Sequence, residues 1–201
     1  MPTPPRVDMV KLMTNSDVIC RYEAVLHNAN EESKNRRFII AFYPSDDSCA
    51  VFEMKIRNSG NCEGKFAEKC RRTNPMTQKT FTAEDFFVGA VITIQCFEFH
   101  IIRADEYTLK HMESRPATYP LSDITLIGER LCPAKETLVE AVGENEHVSP
   151  DLVAEVAAHC GVELFDQELI TLLRHQCHVG ASESGSVVSV ANLMKVIDGQ
   201  A

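Results

Sequence analysis

The chain has 201 residues, 44% of them hydrophobic and 24% charged, and a net charge of −9 at pH 7. That is enough for one full domain and a smaller unit, and it excludes a disordered chain. An acidic chain without a Lys/Arg-rich block is a poor ligand for nucleic acid, and no apolar run reaches the roughly 18 residues a membrane span requires.

Met1 to Ser16 carries prolines at 2, 4 and 5 and no apolar h-region. It is expected to lack structure of its own and to serve as an N-terminal arm, and secretion is not expected. Asp17 to His27 alternates Val18, Cys20, Tyr22, Ala24 and Leu26 on one parity and predicts a strand. Asn28 to Asn35 is a polar loop. Arg37 to Tyr43 is a buried strand, Pro44 to Ser48 a turn, and Cys49 to Met54 the returning strand. Arg57 to Gly60 reads as a turn, Lys65-Phe66 as the start of a short strand, and Arg71 to Thr80 as a polar loop. Thr82 to Asp85 has the residues of a small capped turn.

The densest apolar stretch follows. Val91 to Ile101 approaches strict alternation of β-branched and aromatic residues, which predicts two short strands with a tight turn near Gln95-Cys96. Ala104 to Ser114 then predicts an amphipathic helix with Asp105 as its cap. Pro116 and Pro120 break that helix, and the domain boundary is placed there, dividing residues 17–115 from 116–201.

The remainder is helical. A helix is predicted to begin at Ser122 to Gly128 and another at Pro133 to Val142. Ser149-Pro150 opens the next and Gly161 ends it. Phe165 to Cys177 and Ser189 to Ile197 complete the set, with a Gly/Ser loop from His178 to Ser186 between them. The arrangement suggests paired helix–loop–helix elements. Eight cysteines are scattered without a CxxC, which suits buried, reduced thiols.

Arg21-Tyr22, Arg36-Arg37-Phe38, Asp46-Asp47, Phe52-Glu53, Arg57-Asn58-Ser59-Gly60, Gly64-Lys65-Phe66, Asp85-Phe86 with Val88-Gly89, and Asp105 to Lys110 follow one another over about residues 15 to 114. In these residues and in their order the chain resembles the DM10 domain. The chain is most similar to the last such domain of the myoclonin family of EF-hand-containing ciliary proteins, which a helical EF-hand-like tail also follows. The resemblance implies an α+β fold: a pleckstrin-homology-like β-barrel closed by a C-terminal helix, then a small all-α degenerate EF-hand-like unit. It further implies a structural protein in the cilium or flagellum, on the luminal side of axonemal doublet microtubules, with tubulin and neighbouring microtubule inner proteins as partners. The myoclonin type has three DM10 domains where this chain has one.

The chemistry is sparse. Placing Gly185 at the sixth position of a calcium loop leaves Ala191 at the twelfth; sliding one residue leaves Asn192 there. In the earlier loop, Gly143 to Val148, Leu152 falls where the acid should stand, so tight calcium binding is not expected. His175, Cys177 and His178 lack further ligands at zinc spacing. No GxSxG, P-loop or HExxH is present, and Gly60-x3-Gly64-Lys65 reads as a turn into a strand, so neither catalysis nor a cofactor is expected. A lipid-headgroup or soluble adaptor role is the alternative. Against it, Glu31 and Glu32 oppose Lys34 and Arg36 in the first loop, and Asp46-Asp47 occupy the second. The candidate partner-binding residues are Arg57, Asn58, Lys65, Lys69, Arg71 and Arg72, with Lys79 nearby, for an acidic protofilament surface.

Overall fold

The structure, a computed structural model, describes residues 8–28, 30, 33–56, 63–143, 145–176 and 187–199. The turn expected at 57–60 and the Gly/Ser loop expected at 178–186 lie outside the described residues. The chain divides into two compact units, Met1–His111 and Met112–Ala201.

The first unit begins with a short helix, α1 (Met9–Thr14), in the segment expected to lack structure. Its cause is local. The Asp8 carboxylate accepts from the N–H groups of Val10 and Lys11, and Lys11 pairs with Asp47 at 2.6 Å. The prolines that argued for disorder all precede this cap.

Six strands then form one antiparallel sheet: β1 (Cys20–Leu26), β2 (Phe38–Tyr43), β3 (Ser48–Glu53), β4 (Gly64–Arg71), β5 (Val91–Ile94) and β6 (Phe97–Ala104), in the order β4-β3-β2-β1-β6-β5. Alternation decides which side is buried. Cys20, Tyr22 and Ala24 on β1, Phe38, Ile40 and Phe42 on β2, Ile92 and Ile94 on β5, and Phe99 and Ile101 on β6 are all buried. The expected β5–β6 hairpin forms with Ile94 opposite Phe97. Gln95 and Cys96 between them take φ values of 53° and 70°, as a two-residue hairpin turn of this hand demands.

The sheet is curled into a half-barrel. Phe66 of β4 meets Phe97 and Phe99 of β6 with ring centroids 5.2 and 5.8 Å apart. Three strands lie between β4 and β6, so a flat sheet would separate them by about 19 Å. Phe86 fills the concave side, stacked on Phe42 at 4.3 Å and near Tyr22 and Phe81. It follows the capped turn at Ala83–Asp85, where the Thr82 N–H donates to the Asp85 carboxylate at 2.7 Å. Removing a buried ring of this kind costs about 3–5 kcal/mol. The α2 helix (Glu106–Glu113) opens at the expected cap, the Thr108 N–H donating to Asp105 at 2.7 Å.

The second unit is built from α3 (Ile124–Leu131), α4 (Lys135–Val142), α5 (Pro150–His159), α6 (Asp166–Gln176) and α7 (Val190–Ile197). Ser149 caps α5 as its spacing before Pro150 predicts. Two strand fragments, β7 (His147–Val148) and β8 (Val188–Ser189), pair antiparallel and tie the loop before α5 to the loop before α7. Val148 and Val188 thereby join Ile127, Leu131, Leu138, Val153 and Leu193 in one core. Gly128 on α3 faces the α7 backbone so closely that a Cβ there would lie 2.3 Å from the Val196 carbonyl oxygen. Glu168, 1% exposed, is held by Arg130 and by the Phe165 N–H at 2.8 Å, which settles the first turn of α6. No helix among the described residues is long and apolar enough to cross a membrane.

Candidate partner-binding surface

The residues singled out in sequence converge on β4, at one edge of the six-stranded sheet. Lys65, Lys69 and Arg71 project from an exposed strand, and Arg72 follows directly. Each is engaged locally. Lys65 pairs with Glu68 at 3.0 Å, and Lys69 pairs with Asp46 at 3.2 Å while its ammonium lies 3.9 Å from the Tyr43 ring centroid. Arg71 donates to the Asp46 carbonyl at 2.7 Å and Arg72 to the Glu68 carbonyl at 3.0 Å. The surface is therefore a charged, mixed-sign edge strand, a pattern that blunts indiscriminate strand pairing. Arg57 and Asn58 lie outside the described residues.

Asp46 organises this edge. Burial acts to raise its pKa, but hydrogen bonds from Ser48 and Lys69, with the charge of Lys69, outweigh burial and hold it below the ordinary value. Its carboxylate accepts from the Ser48 hydroxyl at 2.5 Å and from the Ser48 N–H at 3.2 Å, so it fixes the β2–β3 turn as well.

Other residues singled out in the sequence bond within the domain as well. Arg36 forks onto Glu53 at 2.8 and 2.7 Å and lies over the rings of Phe38 and Phe66. The hydrogen bonds that Arg36 donates to Glu53 raise its pKa against the opposing effect of burial. Arg21 uses both backbone groups on the opening of α2: its N–H donates to the Thr108 hydroxyl at 2.8 Å and its carbonyl accepts from the Asp105 N–H at 3.1 Å.

Two hollows bear on the lipid alternative. The one at the loop end is lined by Leu26, Asn28, Asn30, Ser33, Thr93, Cys96, Phe97 and Glu98, about 410 Å³ with an acid and no cation among these residues. A phosphorylated headgroup needs the opposite balance. The other, about 500 Å³, has an apolar floor of Ile39, Met54 and Leu109, with Arg21 and Arg103 set against Glu23, Asp105 and Glu106. Neither is an anion trap.

The calcium-loop reading acquires a register here. Val148 pairs with Val188, so Leu152 and Asn192, each four residues further on, occupy equivalent places at the start of α5 and α7. A leucine and a neutral amide stand where a bidentate glutamate is required. Among the described residues, no group of three or more His, Cys, Asp or Glu side chains is disposed to hold a metal. His175 lies exposed in the last turn of α6; Cys177 and His178 lie outside the described residues. Gly64 opens β4 directly at φ 136°, as the turn-into-strand reading expects. Of the cysteines expected to be buried, Cys20 and Cys49 are, whereas Cys70, Cys96 and Cys132 are exposed and Cys160 half-buried. The expectation was wrong where thiols fell on the sheet edge, the hairpin turn and a helix end.

A family model for the DM10 domain matches residues 9–108, the span of α1, the half-barrel and the start of α2. This is a DM10-domain protein. It is 36% identical over 123 residues to "EF-hand domain-containing protein 1" of Homo sapiens, covering 59% of this chain and 19% of that protein. It is 34% identical over 199 residues to "EF-hand domain-containing family member C2" of Mus musculus, and 30% over 195 residues to the Danio rerio protein of that name, covering 87% of this chain and 26% of each relative. The chain thus spans about a quarter or less of these relatives, and the longer matches run beyond the DM10 domain into the helical unit. None of these names is that of an enzyme.

Proposed function

We propose that this DM10-domain protein is a non-catalytic structural component of the ciliary or flagellar axoneme, a microtubule inner protein that binds the luminal face of doublet microtubules and stabilises them. On this reading the half-barrel with α2 is a pleckstrin-homology-like module over residues 17–115. The unit at 116–201 is a degenerate EF-hand pair whose paired loops keep the packing and have lost the calcium ligand. Tubulin and neighbouring inner proteins are the partners, met by the β4 edge and the segment around α1, where Met9, Val10 and Met13 are exposed.

The observation that carries the proposal is where the family-like residues go. Arg21, Arg36, Asp46, Glu53, Asp105 and Thr108 bond within the domain. That supports a family resemblance that preserves a shape rather than a reaction centre. A lattice component needs only such a shape, because weak contacts add through its neighbours. The lipid-reading alternative is disfavoured by the acidic loop-end hollow.

Extraction behaviour discriminates the two readings. The protein is expected to stay with axonemes through detergent and salt washes and to leave only when the doublets are disrupted. Release with detergent alone would remove it from the lumen and favour a soluble adaptor.

A further inference from the structure

Among the described residues, the cysteines of the sheet are reactive chemistry that a scaffold role leaves unused. β3 and β4 pair antiparallel in a register that sets Cys49 directly opposite Cys70. Residues so opposed point to the same face, with Cα atoms about 4.5–5.5 Å apart. A disulfide requires about 4.4–6.8 Å, so the backbone already meets its spacing. Both are free thiols in very different surroundings: Cys49 is 2% exposed, and Cys70 is open to solvent. Among the registers of the described strands, no other cysteine pair is opposed. Cys20 faces Phe42, and Phe42 stands between it and Cys49.

We propose that Cys49 and Cys70 are a reversible cross-strand redox pair, closed to a disulfide by a peroxide and reopened by a thiol reductant. Cys70 is the sulfur that a solvent oxidant reaches. Its thiolate attacks one peroxide oxygen, the O–O bond breaks and hydroxide leaves; the sulfur is oxidised to a sulfenic acid and the peroxide is reduced. The Cys49 sulfur then displaces the sulfenic hydroxyl. The S–S bond forms, the S–O bond breaks, and the Cys49 proton leaves with the hydroxyl as water. In sum, two thiols and one hydrogen peroxide give one disulfide and two waters.

Arg72 suits this second step. Burial pushes the Cys49 thiol up to about 11, and the positive charge of the Arg72 guanidinium pulls the other way. It is placed to stabilise charge on that sulfur as its proton departs. Closure would clamp the edge strand that carries Lys65, Lys69 and Arg71 onto β3. The inference rests on the sheet register and stands whether or not tubulin is the partner.

The test uses the full chain, reduced, then exposed to a small excess of hydrogen peroxide. Remaining thiols are alkylated in denaturant and the chain is digested without reductant. The expected result is a loss of about 2 Da, a linked peptide joining Cys49 to Cys70, and its disappearance on dithiothreitol. The oxidised chain should melt about 5 °C or more above the reduced chain, because the cross-link restricts the unfolded state. Cys70→Ser, on the exposed strand and so compatible with folding, should abolish both signals. Recovery of Cys49 fully alkylated, with Cys70 carried to a sulfinic acid or joined to a second chain, would overturn the proposal.

Discussion

Asp46 shows how much one side chain on this edge decides. It terminates the β2–β3 turn through Ser48 and anchors β4 through Lys69, with Arg71 on its own carbonyl. Its folded pKa lies below the ordinary value of 3.8. A carboxylate so depressed contributes stability that is complete above its unfolded pKa and is lost as pH falls through the folded value. Asp46→Asn keeps an oxygen for Ser48 but loses the charge. It should therefore cost about 1 kcal/mol near neutral pH, with the difference from wild type closing on acidification below about pH 4. Urea melts of both proteins across pH check this; a gap that widened in acid would show that Asp46 is not the group responsible. The cations around it were readable from sequence as a basic group, but their counter-charges were not. Lys69 meets Asp46 only because β3 and β4 are in register, and no spacing along the chain reveals that.

Elements were legible in proportion to their length and punctuation. The β5–β6 hairpin was readable because alternation over eleven residues leaves one place for a turn, although Gln95-Cys96 is not the usual Asn-Gly chemistry. The α5 helix was readable from Ser149-Pro150, and α2 from Asp105. Conversely, β7 and β8 are two residues each and some forty apart in sequence; two residues carry no period, so only the fold exposes them. The α1 helix was missed because the prolines before Asp8 dominate that stretch. Closeness of packing is equally silent in sequence. Gly128 has no φ requirement that demands glycine, yet its Cβ would strike the Val196 carbonyl at 2.3 Å. In an isolated helix Gly→Ala gains about 1 kcal/mol. Here the obstacle is backbone, so Gly128→Ala is expected to destabilise the helical unit by about 1–3 kcal/mol. Thermal unfolding of the full chain, read by helix-sensitive circular dichroism, checks it; an unchanged or raised melting temperature would mean that α3 and α7 are not packed this closely.

At the scale of the whole molecule, the inventory is one of internal satisfaction. The half-barrel closes its rings on Phe86, its ionic residues largely on each other, and the helical unit its loops on β7 and β8. The hollows have mixed or acidic linings, and the equivalent loop positions hold Leu152 and Asn192. On the proposed reading, each unit supplies a preformed surface to a lattice partner. The measurement that bears most directly on this is a cryo-electron-microscopy map of doublet microtubules isolated with and without the protein. Density lost at a regular axial repeat on the luminal wall is expected, with a half-barrel and a helical unit fitting the difference. An unchanged wall, with the protein recovered in the soluble fraction, would contradict it.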